Sequence, residues 1–176
     1  VSRLADLGFE SKSAIEMEFM LFEETPHSLV EKGFRNLQPL WINPQAYRLT
    51  TLGQYDDVLS GMRDQLQQFG LDIETWNVEA GPGQIEMNLG PVGALESADQ
   101  GFLFKHAVKE LATMLDLSAS FISKLMLGGF GNGTHLNFSL WKALFYSNQS
   151  SAKLFDLFDV GPSFFFNSVS KMFDKV

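Results

Sequence analysis

Residues 78–91, "VEAGPGQIEMNLGP", decide the fold, because they predict a tight turn between two strands. The Gly-Pro-Gly sequence at 81–83 is typical of a turn, and the apolar and polar residues after it alternate as in a half-buried strand. Such a turn brings Glu79 and Glu86 onto neighbouring strands. Two interpretations follow: a hairpin with its glutamates in solvent, or two carboxylates directed at one cation.

Outward from this hairpin, hydrophobic periodicity predicts the other elements. Strands are predicted at residues 14–22, 71–79, 83–89, 118–126 and 134–141, and helices at residues 55–69 and 97–115. Gly70 is expected to cap the first helix. Residues 27–51 contain Pro39 and Pro44 and are expected to be irregular. The pattern predicts one domain, a mixed sheet with helices packed on one face.

Alternation also predicts that three strands each carry a polar face. Residues i and i+2 of a strand share a face, so the sequence predicts one polar surface with the following members: Glu16, Glu18, Gln84, Glu86, Asn88, His135, Asn137 and Ser139. This set contains no Lys or Arg. Carboxylates so placed repel one another unless a cation lies between them, and oxygen-rich ligand sets suit Mg²⁺ or Mn²⁺. An antiparallel sheet with one face in water remains the alternative.

Composition excludes several classes of function. The 176 residues carry a formal net charge of −8, which argues against binding to nucleic acid or an anionic membrane. The chain has no cysteine, so disulfides and thiolate metal sites are excluded. No apolar run is long enough to span a bilayer. We therefore expect a soluble cytoplasmic protein. The glycine-rich "GGFGNGTH" precedes a predicted strand rather than a helix, unlike a P-loop.

Three motifs resemble the catalytic domain of glutamine synthetase. They are "EMEFMLF" at 16–22, "EAGPGQIEMN" at 79–88 and "GNGTHLNFSLW" at 131–141, and "DQGFLFKHAVKELA" at 99–112 resembles the helix between the last two. The resemblance implies an incomplete α+β fold with a curved, mostly antiparallel sheet and helices packed on one face. Residues 1–141 would form a partial catalytic domain, and residues 142–176 a divergent Phe-rich segment of the same domain.

The resemblance also implies an activity. The family forms a γ-glutamyl amide from glutamate, ammonia or an amine, and ATP, through γ-glutamyl phosphate, at a site with two or more Mg²⁺ or Mn²⁺ ions. That reaction belongs to glutamine biosynthesis in nitrogen metabolism. A ring-shaped homo-oligomer is implied as well. Because the later arginine motifs and the N-terminal domain of the family are not found here, the chain alone is expected to have little synthetase activity.

Site residues are implied by position in these motifs. Glu18, Glu79 and Glu86 resemble the catalytic ligands of the cation that holds glutamate and the reacting phosphate. Glu16 and His135 resemble ligands of the cation on the ATP phosphates. Roles beyond the cations are implied for a second set: Gly131 towards the amino acid substrate, and Asn137, Ser139 and Lys124 towards the nucleotide.

Departures from the family pattern keep alternatives open. Phe130 stands where the family usually has an asparagine, and "SFISKLM" replaces the usual Phe-Met-Pro-Lys-Pro around Lys124. These changes favour a non-catalytic, structural relative similar to lengsin. An unrelated divalent-cation module is a third interpretation. The Phe-rich tail is expected to bury against another subunit or against a further part of the domain.

Overall fold

A computed structural model describes residues 2–42, 46–125 and 128–142 of the chain. Five helices and six strands occur in these ranges. The helices are α1 (Ser2–Asp6), α2 (Pro26–Glu31), α3 (Leu49–Gln54), α4 (Asp56–Gln68) and α5 (Ala94–Met114). The strands are β1 (Phe9–Phe22), β2 (Ile73–Val78), β3 (Gln84–Leu89), β4 (Val92–Gly93), β5 (Ser118–Ser120) and β6 (Thr134–Lys142).

Strand β1 is the centre of the single sheet that these strands form. One of its edges pairs with β3 and β4, the other with β5 and β6, and β2 extends the sheet beyond β3. Every pairing among the described strands is antiparallel. The α+β class and the antiparallel sheet implied by the motifs are therefore confirmed. Periodicity alone predicts a mixed sheet. The observed sheet is antiparallel throughout the described residues.

The hydrophobic core lies between one face of this sheet and helices α4 and α5. Phe19 on β1 is fully buried and meets Phe104 of α5 edge to face, with ring centroids 6.1 Å apart. Leu59, Met62 and Leu66 form the buried stripe of α4. Burying such side chains contributes about 1.5–3 kcal/mol each. The core thus fixes which face of β1 points away from the helices.

Element boundaries differ from the predictions in several places, most of all in β1 and β5. Strand β1 begins at Phe9 rather than residue 14, because its polar first residues pair with β4 and β6. Strand β5 ends at Ser120, so the strand predicted to residue 126 was too long; residues 121–125 have no regular structure. The short helices α2 and α3 overlap the two ends of the excursion at 27–51. Gly70 has φ +94°, as its predicted capping role requires.

The Phe-rich segment lies almost wholly outside the described residues, since only Lys142 of it is described. Its assignment to the same domain and its expected burial against another subunit stay predictions. No helix within 2–42, 46–125 or 128–142 has the length and hydrophobicity needed to cross a membrane.

Gly83 is required by the turn between β2 and β3. Its φ is +65°, and a Cβ on it would overlap the backbone carbonyl oxygen of Leu21. The same close approach allows the Leu21 N–H to donate to the Gly83 carbonyl at 2.8 Å. The turn is therefore joined to β1 through backbone atoms, which leaves no room for a side chain.

Gly83→Ala is expected to lower the free energy of unfolding by more than about 1 kcal/mol, since alanine is strained at positive φ and its methyl group meets backbone. Gly61→Ala in α4 is the matched control, because a Cβ there meets nothing within 4 Å. That change should stabilise the chain by roughly 0.5–1 kcal/mol. Urea unfolding of both variants checks the pair. Equal effects would contradict the stated role of Gly83.

Glu24 anchors the chain segment that follows β1. Its side chain is buried and accepts from the Lys32 ammonium at 2.5 Å, the Ser28 hydroxyl at 2.6 Å and the Gln38 N–H at 2.9 Å. The bonds from Lys32, Ser28 and Gln38 lower the pKa of Glu24 to about 2. The ionised carboxylate therefore ties α2 and the loop after it to the end of β1.

Stability should depend on pH through Glu24. Because its folded pKa lies below the ordinary value of 4.5, the ionised form stabilises the fold above pH 4.5, and this contribution is lost as pH falls towards 2. Glu24→Gln should be less stable than the parent near neutral pH, with a gap that closes over that window. Urea unfolding across the window measures it, with exposed Glu23→Gln as the control for the loss of one charge. A gap that does not change with pH would contradict this account.

Candidate metal centre

Glu16, Glu86 and His135 come together on the face of the sheet opposite the helices. In the sheet register Glu16 lies opposite His135 of β6 on one side and Asn88 of β3 on the other, while Glu86 lies opposite Glu18. One ligand atom from each of these three residues lies within 4.8 Å of the other two. Ligands on opposite sides of one Mg²⁺ are separated by about 4.2 Å. Small side-chain movements would thus suffice to hold a cation.

Hydrogen bonds and charge couple these three residues. His135 Nδ1 is 2.8 Å from Glu16 Oε1, and Asn88 Nδ2 donates to Glu86 Oε1 at 3.2 Å. Burial has the largest effect on the pKa of Glu86, and together with the hydrogen bond to Glu16 it raises that pKa to about 7. Burial alone would also raise the pKa of Glu16, but the hydrogen bonds with His135 and Glu86 outweigh it and lower that pKa.

The pKa of His135 is raised by its hydrogen-bond partner. The hydrogen bond with Glu16 raises it, and burial opposes the rise less strongly. The raised pKa values of Glu86 and His135 both favour a bound proton, which offsets negative charge in this arrangement. A divalent cation offers the same compensation with two positive charges, and carboxylate oxygens with one imidazole nitrogen form a donor set that Mg²⁺ and Mn²⁺ accept.

Glu18 and Glu79 lie on the same face, outside this group of three. Glu18 Oε2 accepts from Gln84 Nε2 at 2.8 Å and from the Gly133 N–H at 2.9 Å. Glu79 follows β2 at the hinge, and its Oε1 is buried without a hydrogen-bond partner among the described residues. A buried carboxylate oxygen without a partner is costly, and a cation is one group that would satisfy it.

The other motif residues take up varied positions. Asn137 Nδ2 donates to Glu16 Oε2 at 3.4 Å, and the Ser139 hydroxyl accepts from Trp141 Nε1 at 2.9 Å. Lys124 is exposed and donates to the Gly129 carbonyl. The Gly131 carbonyl accepts from Gln84 Nε2 at 2.7 Å. Their implied roles towards nucleotide and substrate stay predictions, as does the division of the five ligands between two cations.

Tyr47 belongs beside the acidic face, although nothing in its local sequence indicates this. Its backbone N–H donates to the Val78 carbonyl at 2.7 Å, and its φ is 58°. The pKa of the Tyr47 hydroxyl is raised by three effects, which are, from largest to smallest, the charge of Glu79, burial and the charge of Glu86. Tyr47 lies within residues 27–51, where the sequence predicts no regular element, so strand or helix periodicity carries no signal for it.

Gln84 and Asn132 are two further residues whose contacts the sequence does not predict. Alternation places Gln84 on the polar face, but its bonds to Glu18, Gly131 and Asn132 depend on the glycine-rich loop. Asn132 is buried in that loop, where Nδ2 donates to the carbonyls of Ser120 and Ile122 at 3.2 and 3.0 Å. Only the folded sheet brings these segments, 48 residues apart, together.

The antiparallel sheet with an acidic face and helices behind it defines an α+β class of domain, and comparison with known proteins identifies its family. Residues 1–159 match the family model described as glutamine synthetase, catalytic domain. The chain therefore belongs to the glutamine synthetase family. It spans about 30% of the length of the curated relatives that follow.

Two curated relatives and one solved structure illustrate the match. Type-1 glutamine synthetase 2 of Dictyostelium discoideum is 34% identical over 155 residues, 85% of this chain and 30% of the relative. Glutamate–isopropylamine ligase of a Pseudomonas species is 27% identical over 140 residues, 80% of this chain and 30% of the relative. A GmaS/ADP complex superimposes with a TM-score of 0.67 at 28% identity, over 81% of this chain and 32% of the other. The two curated relatives are a synthetase and a ligase by name.

Glu86→Gln is expected to weaken Mn²⁺ binding at least about tenfold, because it removes a charged ligand and keeps the shape of the side chain. Calorimetric titration of the 176-residue chain measures the affinity. Glu110→Gln is the matched control, since Glu110 is exposed on α5, which packs against the opposite face. Equal affinities for the parent and Glu86→Gln, with both folded by circular dichroism, would contradict the assignment.

Proposed function

We propose that this chain is part of the catalytic domain of an ATP-dependent ligase that joins glutamate to ammonia or an amine. The observation that carries the proposal is the group Glu16, Glu86 and His135, within 4.8 Å on a sheet of this family. Glu18 and Glu79 on the same face extend the group to five ligands. Five ligands are enough for two divalent cations that share the site.

The proposed reaction has two steps. A carboxylate oxygen of glutamate attacks the γ-phosphorus of ATP, which forms γ-glutamyl phosphate and releases ADP. The amine nitrogen then attacks the γ-carbonyl carbon, phosphate leaves, and the nitrogen loses a proton. Bound Mg²⁺ or Mn²⁺ would neutralise charge on the transferred phosphoryl group.

The residues of this chain have separate parts in the proposal. Glu18, Glu79 and Glu86 hold the cation beside glutamate, and Glu16 and His135 hold the cation beside the ATP phosphates. Asn137, which donates to Glu16, helps to fix that carboxylate. We further propose that Asn137, Ser139 and Lys124 line the nucleotide side and that Gly131 lies beside the amino acid substrate.

The identity of the amine is open within this class. The relatives include an isopropylamine ligase from Pseudomonas and a γ-glutamylethanolamide synthetase from Streptomyces coelicolor. Ammonia and small primary amines are therefore the substrates to test. Residues 1–141 would form part of the catalytic domain and residues 142–176 a further segment of it, in a homo-oligomer that acts in the cytoplasm.

Phe130 favours a second candidate function. Its ring-bearing Cβ lies 3.1 Å from where a Cβ on Gly81 would stand, so an apolar side chain sits against the hinge of the acidic site. An apolar residue at this point offers no hydrogen bond to a charged amino acid. The second candidate is therefore a non-catalytic relative, similar to lengsin, that retains the cation site.

Nucleotide binding distinguishes the two candidates. The 176-residue chain is titrated with a non-hydrolysable ATP analogue, with and without saturating Mn²⁺. The ligase proposal predicts binding that requires Mn²⁺, that Glu16→Gln weakens and that Glu110→Gln leaves unchanged. A folded chain that binds Mn²⁺ but no nucleotide would overturn the ligase proposal in favour of the non-catalytic one.

Turnover tests the proposal that the chain is a partial domain. The chain spans about 30% of its curated relatives, and the proposal assigns substrate-positioning groups to the part of them that it does not match. ADP release with glutamate and ammonium, isopropylamine or ethanolamine is therefore expected to be slight. Release at ordinary enzyme rates would show that these residues suffice for catalysis.

A further inference from the structure

We propose that Gln84 is a positioning residue, which holds Glu18 so that one carboxylate oxygen is left free for a divalent cation. The inference rests on the cation site of the proposed function. Gln84 has a different part from the five proposed ligands, because it donates to a ligand and is not itself charged. Its contacts with three separate segments carry the argument.

Every polar atom of the buried Gln84 side chain is engaged. Only 2% of the residue is exposed. Oε1 accepts from the Gly81 N–H at 2.8 Å, while Nε2 donates to Glu18 Oε2 at 2.8 Å and to the Gly131 carbonyl at 2.7 Å. Asn132 Oδ1, at 3.1 Å from Nε2, is a third acceptor. An amide nitrogen carries two hydrogens, and both are used, so the amide has one preferred orientation.

In this orientation of the Gln84 amide, the two carboxylate oxygens of Glu18 have different surroundings. Oε2 receives two donors, Gln84 Nε2 and the Gly133 N–H at 2.9 Å. Oε1 receives no hydrogen bond from the described residues. Oε1 and His135 Nε2 lie 3.4 and 3.2 Å from the same point, where a Cβ on Gly133 would stand. The free oxygen of Glu18 therefore faces the side on which His135 lies.

The same amide fixes the segments around Glu18. Gly81 belongs to the hinge, and Gly131 belongs to the glycine-rich loop. Asn132 in turn binds the loop to the carbonyls of Ser120 and Ile122. Glu18 is thereby held through Oε2 by a network in which the buried amide groups of Gln84 and Asn132 are satisfied, which makes its geometry rigid. Residues that orient metal ligands in this way commonly change metal affinity about 10–100-fold.

A double-mutant cycle separates positioning from general support of the fold. The variants are Gln84→Met, which keeps the length of the side chain without its hydrogen bonds, Glu18→Gln, and the double variant. Mn²⁺ affinity of the 176-residue chain is measured by calorimetry. Gln84→Met should weaken binding about tenfold in the parent and less than about twofold in the Glu18→Gln background. Gln68→Met, at an exposed position of α4, is the matched control.

Each outcome of this cycle supports or overturns the positioning role of Gln84. An equal loss in both backgrounds, or no loss in either, would overturn the positioning role and leave the cation site standing. A folded parent that does not bind Mn²⁺ would overturn the cation site and the positioning role together. If circular dichroism shows that Gln84→Met is unfolded, the cycle is run with Gln84→Asn, whose shorter amide cannot reach Gly81 and Glu18 at once.

Discussion

The pleat of β1 is the constraint on which the rest of the structure depends. Successive side chains of a strand point to opposite faces, so Met17 and Phe19 enter the core while Glu16 and Glu18 point away from it. Both edges of β1 are paired, and each pairing repeats the alternation on the neighbouring strand. A slip of one residue would exchange the two faces. Core burial and the acidic site are therefore determined by the same register.

Electrostatic repulsion on the acidic face is offset within the chain itself. The Asn88 amide donates to Glu86, the His135 imidazole bonds to Glu16, and the raised pKa of Glu86 favours its neutral form, so the repulsion between the two carboxyl groups falls. Glu79 Oε1, which is buried and has no hydrogen-bond partner among the described residues, still carries a desolvation cost. The free energy gained by burying the core on the helix side of the sheet compensates for these unfavourable terms. Such compensation is common where ionisable groups gather for binding or catalysis.

Much of this arrangement could be predicted from the sequence, because it depends on local periodicity. Alternation in β1, β3 and β6 predicts the polar face, and the Gly-Pro-Gly turn predicts the β2–β3 hairpin that carries Glu79 and Glu86. The first residues of β1, "FESKS", have no such pattern, since their strand form depends on pairing with β4 and β6. The contacts of Tyr47, Glu24 and Asn132 cannot be predicted from local periodicity either. Each contact involves a loop, and the conformation of a loop depends on tertiary contacts.

The long sequence separations across the acidic face have a consequence for folding. Gln84 and Glu18 are 66 residues apart, Gly133 and Glu18 are 115 apart, and His135 and Glu16 are 119 apart. Contacts of such high order form slowly, because loop closure must be completed before the contact contributes. His135 joins the other four proposed ligands only when β6 has paired with β1, which closes the largest of these loops. The complete set of proposed ligands is therefore assembled among the last events on the folding route, and a nascent chain that still lacks β6 presents the four carboxylates without the imidazole.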